Sequence, residues 1–552
     1  MRFINWTLDH QQSSGMIGPV SNDDWWPRMV MLKVLAQYHD ATGDRRVIPV
    51  MTKYFQYQLS AMPQRPLSSW GKYRWQDEAM VVVWLHRKTG DPRLLQLFEL
   101  LQQQGYDWVA EFQAFPYKVP QTRALLKMQK GAATIPNGME THGVNNGQAL
   151  KVAAVRHQMT GGAEEKANFD RQIEELYRYH GVPNGMFSCD EHLAGLNPSQ
   201  GTELCTIVET MFSLEVALQV FGDPKIADRL EKIAFNALPG TFTDDMWAHQ
   251  YDQQSNQIRV SRNSKPWTTN GPESNLFGLE PNFGCCTANF HQGWPKLTEH
   301  LWMRTPNEGL AAVVWAPCIV RTSVHGEAVS IRVATEYPFQ NTVDISLSCA
   351  SPKSFPLALR IPEWSAKTKL LINGKDANID LQPATFAKIE REWKDGDHLR
   401  LEFEMRTELH RSFQQSVFLT RGPLVFSHSP GEIWIKLRDH GPTADWQVYG
   451  EKPWAYALAV DEQSAVNLKV TESPIGARPF AAKDTGVKIT VPAKRLSSWL
   501  DVDGVANPIP MSPEDSHEPM EMLELIPYAA AKLRVTAFPQ LTEAAATASP
   551  QT

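Results

Sequence analysis

The sequence predicts a multidomain α plus β protein, an α/α toroid followed by one or more antiparallel β-sandwich domains. Amphipathic runs that share one glycine-containing punctuation fill about the first 300 residues. After about residue 308 the apolar period drops to two. At 552 residues the chain exceeds one ordinary hydrophobic core, so two or three domains are required.

In chain order, the punctuation comes first. Thr42-Gly43-Asp44, Thr89-Gly90-Asp91, Thr160-Gly161-Gly162 and Phe221-Gly222-Asp223 each follow one amphipathic run and precede another. In the clearest case Ile207, Met211, Leu214 and Leu218 form a single helical stripe. Gly222 supplies the left-handed C-terminal position, Asp223-Pro224 opens the next helix, and Ile226, Leu230 and Ile233 continue the pattern. Repeated antiparallel helix pairs fit either a solenoid or a closed toroid. The glycines are 47, 71 and 61 residues apart, too uneven for a regular solenoid, which favours the toroid.

Val329, Ile331 and Val333, then Leu357, Leu359 and Ile361, then Leu399, Leu401, Phe403 and Met405 alternate with polar residues. Asn373-Gly374 and Asp395-Gly396 are hairpin dipeptides. Half-buried antiparallel strands of this kind make a β-sandwich. The expected organisation is therefore a helical domain over 1–307, a sandwich over 308–430, a further small β-region over 431–540 and a disordered tail over 541–552.

Composition narrows the partners. Apolar residues make up 42% and charged residues 21%, as in globular proteins, and the net charge of −7 offers no attraction to nucleic acid or anionic membrane. Eighteen tryptophans exceed what a core needs, and indole faces stack on sugar rings, so an oligosaccharide or glycoside is the expected partner. No run approaches the ~20 apolar residues of a membrane span. MRFINWTLDHQQSSG lacks the form of a signal peptide, and six cysteines without disulfide-framework spacing fit a reducing compartment. As written, the sequence reads as cytoplasmic. The composition leaves the oligomeric state open.

Half of those cysteines fall in two places. Glu203-Leu204-Cys205 precedes, by about 80 residues, the vicinal pair Cys285-Cys286. Three thiols and one carboxylate are a complete ligand set for four-coordinate zinc. Glu203 and Cys205, two apart on an extended stretch before a helix starting near Thr206, would point the same way. The helix N-terminus would favour their negative charge. A turn is expected at Cys285-Cys286, because adjacent cysteines do not both chelate comfortably from a regular helix. Ordinary buried thiols and a vicinal disulfide are the alternatives. Upstream, Asp190-Glu191-His192 offers a proton donor. Thr141-His142-Gly143-Val144-Asn145-Asn146 and Trp247-Ala248-His249-Gln250-Tyr251 are polar–aromatic clusters suited to hydroxyls, with His142, His249 and Tyr251 as candidate substrate ligands.

Glu191, Glu203-x-Cys205 and Cys285-Cys286, lying in helices ahead of a sandwich, resemble the β-L-arabinofuranosidase-type glycoside hydrolases of family 127. The resemblance runs from Gln11 to about Phe426. It includes Trp25-Trp26-Pro27, His142-Gly143-Val144, His249-Gln250-Tyr251, Arg360-Ile361-Pro362-Glu363-Trp364 and Arg421-Gly422-Pro423. It implies an (α/α)6 barrel as catalytic domain, followed by β-sandwich domains. It also implies one zinc ion on Glu203, Cys205, Cys285 and Cys286, with Cys285 as nucleophile and Glu191 as acid/base. Net retention would follow, with nucleophile and acid/base roughly 5 Å apart and the Glu191 pKa raised. Leu204 stands where characterised members often carry threonine, and the surroundings of Glu191 differ from theirs, as in a divergent branch. Family members also carry residues ahead of a start like Phe3-Ile4-Asn5-Trp6. A missing first barrel helix, and a periplasmic or secreted location, would follow if the N-terminus is truncated.

The resemblance implies release of β-linked L-arabinofuranose or a related sugar from plant-type glycans. Two other readings fit the same sequence. A polysaccharide lyase shares the architecture but needs a Tyr or His base and a cation facing a uronate. A non-catalytic glycan-binding protein would keep a closed, structural zinc.

Overall fold

The structure is a computed structural model that describes residues 1–22, 24–121, 138–263, 265, 271–279, 284–506 and 508–542. The chain divides into two compact units, Met1–Tyr117 with Lys127–Leu176, and Lys118–Leu126 with Tyr177–Thr552. It is a mixed protein, helical in its N-terminal part and sheet-rich in its C-terminal part.

The first unit is built from helices, among them Trp26–Thr42, Val47–Ala61, Trp75–Thr89, Arg93–Gln104 and Val152–Thr160. Three of these end on the predicted glycines. Gly43, Gly90 and Gly161 each take φ 68°, and each N–H donates to the carbonyl four residues back, on His39, His86 and His157. A residue with a Cβ is strained there, which is why glycine recurs as the helix stop. Inside this unit the Asp77 carboxylate lies between Lys33 and Lys151, at 2.5 Å from each ammonium, so a fully buried charge is doubly paired.

In the second unit the helix Leu204–Phe221 stops at Gly222 (φ 61°) by the same device. Every residue from Leu204 to Leu218 is buried. Contrary to the sequence expectation, this helix is long and apolar enough to cross a membrane by length and composition. However, 83% of its apolar window is buried inside the protein, and it serves as a core helix.

The period-two segments form a sandwich as expected. One sheet holds, in spatial order, Lys375–Asp376, Thr368–Ile372, His398–Phe403, Thr342–Cys349, Glu327–Ala334 and Cys318–Val324. The other holds Thr385–Trp393, Lys353–Ile361, Leu310–Ala312 and Trp302–Arg304. Their inward residues, among them Ile331, Ile345, Leu401, Leu357 and Ile389, share one core. Asn373-Gly374 (φ 51° and 74°) is the predicted hairpin turn. Asp395-Gly396 is not a hairpin. It carries the chain from Thr385–Trp393 in one sheet to His398–Phe403 in the other. The Gly396 N–H donates to Leu347 O (3.0 Å) and Leu347 N–H to Asp397 O (2.9 Å), which seals the corner between the layers.

Thr407–Arg411, Val417–Arg421 and Leu424–His428 pair onward with Met520–Pro527 and Val487–Arg495, so this seven-stranded sheet runs across the expected boundary at 430. Arg259–Val260 pairs with Ala444–Tyr449, tying the C-terminal β-region to residues ahead of 307. Leu541, inside the expected tail, is buried and donates to Leu458 O at 2.9 Å. The remainder of that tail, 543–552, lies outside the described residues.

The Arg360 of the Arg-Ile-Pro-Glu-Trp segment is fully buried. Its guanidinium pairs with Asp228 (2.5 Å) and with Glu231, both on the helix Pro224–Lys232, and Glu231 also accepts from Trp315 N–H at 2.8 Å. This charge cluster locks that helix onto the sandwich.

Candidate active site

A small four-stranded sheet assembles the carboxylates. Cys189–Asp190 and His192–Leu193 pair back to back, leaving Glu191 alone at the tip with φ 66°. A left-handed backbone at a residue with a Cβ costs about 1 kcal/mol and persists where the surroundings impose it. Cys189–Asp190 runs parallel to Gly201–Glu203, which pairs antiparallel with Asp252–Gln254, setting Glu203 opposite Asp252. Leu204 N–H donates to Tyr251 O at 2.9 Å, and the Tyr251 hydroxyl donates to Glu191 Oε2 at 2.5 Å. Register thus brings Glu191, at the tip between two strands, and Glu203, at the end of a third, close to Tyr251, just ahead of the fourth.

The thiols arrive from two helix starts. Glu203 is the extended residue capping Leu204–Phe221 (φ −69°, ψ 135°), and Cys205 already lies in the first helical turn. The expected extended stretch through Cys205 is therefore a strand-to-helix junction. Cys285 and Cys286 lie in the first turn of the short helix Gly284–Asn289, not on the irregular turn expected for a chelating vicinal pair. All six cysteines are free thiols, so no vicinal disulfide forms.

One ligand atom from each of Glu203, Cys205, Cys285 and Cys286 lies within 4.8 Å of all the others, and the Cys205 and Cys286 sulfurs are 3.5 Å apart. A tetrahedral ion with ~2.3 Å bonds to sulfur sets its sulfurs about 3.8 Å apart, so the donor set and its spacing fit zinc. Glu203, Cys205 and Cys286 are buried, whereas Cys285 is exposed. Hydrogen bonds from Cys205 and Cys286 hold the Cys285 thiol far below its ordinary pKa. Its hydrogen bond to Cys285 pushes the Cys205 thiol up, and burial does the same for Cys286. Among the three thiols these directions favour ionisation at Cys285. Burial, with the charges of Glu203 and Glu191, raises the Tyr251 pKa well above its usual value and keeps its hydroxyl a donor.

Several supporting contacts were not legible in the sequence. Asn289 Nδ2 donates to Cys205 Sγ at 3.2 Å. Gln292 Nε2 donates to Asn289 Oδ1 (3.3 Å) and to Glu209 Oε1 (2.8 Å), the latter on the same helix as Cys205. The only hint was the position of Asn289, three residues after Cys286 and so on the same helical face. Of the expected sugar ligands, His249 is 4% exposed, and its Nε2 lies 2.8 Å from Thr287 Oγ1, which donates to Leu279 O. It braces the vicinal-cysteine helix. His142 belongs to the first unit. There it caps Gly143–Ala149, accepts from Asn145 N–H on Nδ1 at 3.4 Å, and stands edge-on to Trp70 with centroids 5.2 Å apart.

Comparison with solved structures finds the same architecture in glycoside hydrolases. One described simply as a glycoside hydrolase aligns with TM-score 0.70 at 18% identity, covering 98% of this chain and 87% of the other. A GH127 β-L-arabinofuranosidase from Geobacillus stearothermophilus T6 gives 0.67 at 20%, covering 97% and 84%. A further GH127 β-arabinofuranosidase gives 0.66 at 17%, covering 98% and 84%. At such identities the likeness shows the fold. A search of curated proteins finds no match. The family models described as β-L-arabinofuranosidase, GH127 catalytic domain and GH127 middle domain match residues 6–299 and 309–405. The molecule is thus a glycoside hydrolase. The chain belongs to glycoside hydrolase family 127, the β-L-arabinofuranosidase family.

Proposed function

We propose that this enzyme is a zinc-dependent retaining glycoside hydrolase with a cysteine nucleophile. On this reading it releases β-linked L-arabinofuranose or a related sugar from plant-type glycans, and its helical part closes as an (α/α)6 barrel. The observation that carries the reading is the four-residue group itself. Its ligand atoms lie within 4.8 Å of one another, and of its three thiols only Cys285 is exposed.

Glu203, Cys205, Cys285 and Cys286 would hold the metal. Zinc bound there keeps the three thiols ionised and moderates the nucleophilicity of Cys285. Cys285 Sγ attacks the anomeric carbon, so that a C–S bond forms as the glycosidic C–O bond breaks. Glu191 gives its proton to the departing oxygen. A water molecule then loses a proton to Glu191 and attacks the same carbon. The C–S bond breaks, its electron pair returns to sulfur, and two inversions give net retention. Tyr251 fixes one oxygen of Glu191 through their hydrogen bond. His249 steadies the helix carrying Cys285 through Thr287.

The test is zinc stoichiometry on reduced, purified protein beside Cys286→Ala, with hydrolysis of an aryl β-L-arabinofuranoside followed by NMR. One zinc per chain, absent from the variant, and first release of the β-anomer are expected. An inverted first product, or full turnover by Cys285→Ala, would overturn the mechanism.

A further inference from the structure

Apart from the thiolate group, the second unit holds a cavity of about 360 Å³ whose lining includes Trp247, Trp434 and Trp446. Trp434 and Trp446 stand on the paired strands Ile433–Asp439 and Ala444–Tyr449, edge to face with centroids 6.1 Å apart. Trp247 enters from the loop after Phe242, and 54% of its surface is exposed. The wall is built rather than accidental. Trp434 Nε1 donates to Glu432 Oε2 at 3.1 Å, Phe277 packs behind Trp434 with centroids 5.2 Å apart, and Thr443 Oγ1 donates to Trp247 O at 2.9 Å. The last bond pins the hairpin tip to the tryptophan loop.

The rim carries hydrogen-bonding groups of both signs. Asp245 Oδ1 accepts from Trp247 N–H (3.1 Å) and from Thr243 Oγ1 (2.7 Å), which holds the carboxylate in place on the lining. The exposed Arg478 guanidinium makes no hydrogen bond or ion pair among the described residues. Lys436 lies 5.5 Å from the Trp446 ring centre.

We propose that this cavity is an accessory subsite for a neutral oligosaccharide, separate from the proposed catalytic group. Each property points to that class of ligand. The indole faces match the C–H faces of sugar rings. The carboxylate and guanidinium on the rim match their hydroxyls, each acting as acceptor or donor without needing a charged partner. The volume falls in the range of small-molecule pockets, roughly 300–1,000 Å³. Lys436 and Arg478 are outnumbered on the same lining by Asp244, Asp245 and Glu432, so there is no cationic excess to draw a nucleic acid or a polyuronate. The subsite rests on family membership and on this cavity, not on the zinc–cysteine mechanism.

The experiment is a tryptophan-fluorescence and calorimetric titration of the metal-replete enzyme with arabinohexaose, xylohexaose and cellohexaose. Trp247→Ala and Arg478→Ala are compared alongside. At least one hexaose is expected to bind the wild type, with about tenfold or greater loss in Trp247→Ala and a smaller loss in Arg478→Ala. Turnover of a small aryl glycoside should stay within about twofold in both variants, which also verifies their folding. Failure of all three sugars to bind, or equal binding by Trp247→Ala, would overturn the subsite. Failure of the cysteine mechanism would instead appear in zinc content and aryl-glycoside rates, leaving the hexaose titrations untouched.

Discussion

Cys285 and Cys286 are neighbours in sequence with opposite surroundings, one exposed and one fully buried. The proposed mechanism therefore predicts that they fail differently. Cys285→Ser should keep most of its zinc and lose about a thousandfold or more in kcat, because a group that forms the covalent bond has no substitute. Cys286→Ala should lose zinc first. Metal analysis and steady-state rates on the two variants separate these outcomes. Glu191→Gln should bind zinc and still lose about 10²–10⁴-fold in kcat/KM on poor leaving groups, recovering most of that kcat/KM on an activated aryl leaving group while kcat stays low for want of the base. Equal loss on both would remove it as the acid. Asn289 touches the group only through Cys205 Sγ and acts as a positioning residue. Asn289→Ala should weaken zinc about 10–100-fold in chelator competition while the melting temperature of the metal-free protein stays unchanged. A matching fall in metal-free melting would make it a purely structural residue. The residue types at the thiolate group were readable from the sequence, because a Glu-x-Cys and a Cys-Cys carry their chemistry wherever they sit. The Asn289–Gln292–Glu209 chain was not, because amides have no metal-like signature until the fold aims them.

Among elements, the helix Pro224–Lys232 depends on a charge outside itself. Asp228 and Glu231 face the fully buried Arg360 of the strand Lys353–Ile361. Burial raises the Asp228 pKa to about 6 even with that guanidinium alongside. Arg360→Leu leaves two buried carboxylates uncompensated, so a loss of about 3–5 kcal/mol in urea unfolding at pH 7 is expected. Turnover below the melting transition should survive, since Arg360 lies in the sandwich. An unchanged midpoint would mean that water replaces the guanidinium. The helix stops at Gly43, Gly90, Gly161 and Gly222 were legible because a left-handed cap is a local requirement on one residue. The start of Leu204–Phe221 was less so. Helix propensity does not reveal that Glu203 leaves a strand and caps the helix in the same step. Asp395-Gly396 misled for a related reason. The dipeptide specifies a tight turn, and only the neighbouring strands decide whether it joins partners or layers.

Across the whole molecule, stability should depend on pH and metal. Glu78 is fully buried, accepts from Gln58 Nε2 at 2.8 Å, and burial raises its pKa from 4.5 to about 8. Between those values the folded protein keeps a proton that the unfolded chain has lost. This term in unfolding stability is therefore whole below pH 4.5 and falls as pH rises toward 8. At 1.36 kcal/mol per unit its full span is about 3–5 kcal/mol. Glu78→Gln, with an amide that cannot ionise, should flatten that slope and be the more stable form at pH 8. Parallel slopes for the two proteins would show that Glu78 is not the titrating group. Removing zinc by chelation should lower the melting temperature of the wild type, with little further effect on Cys286→Ala.

The kinds of element, the places where helices stop, the alternation that makes the sandwich and the chemistry of the thiolate group are all written in the linear chain. Each of these follows from period, from one strained backbone position or from the identity of a side chain, all local quantities. Folding in three dimensions set which thiol is exposed, Cys285, that Tyr251 holds Glu191, that strands from 407 onward leave the sandwich, and that Trp247 meets the hairpin of Trp434 and Trp446 around one cavity. Those facts depend on which surfaces meet after burial, and contacts between residues hundreds of positions apart leave no periodic trace in the chain.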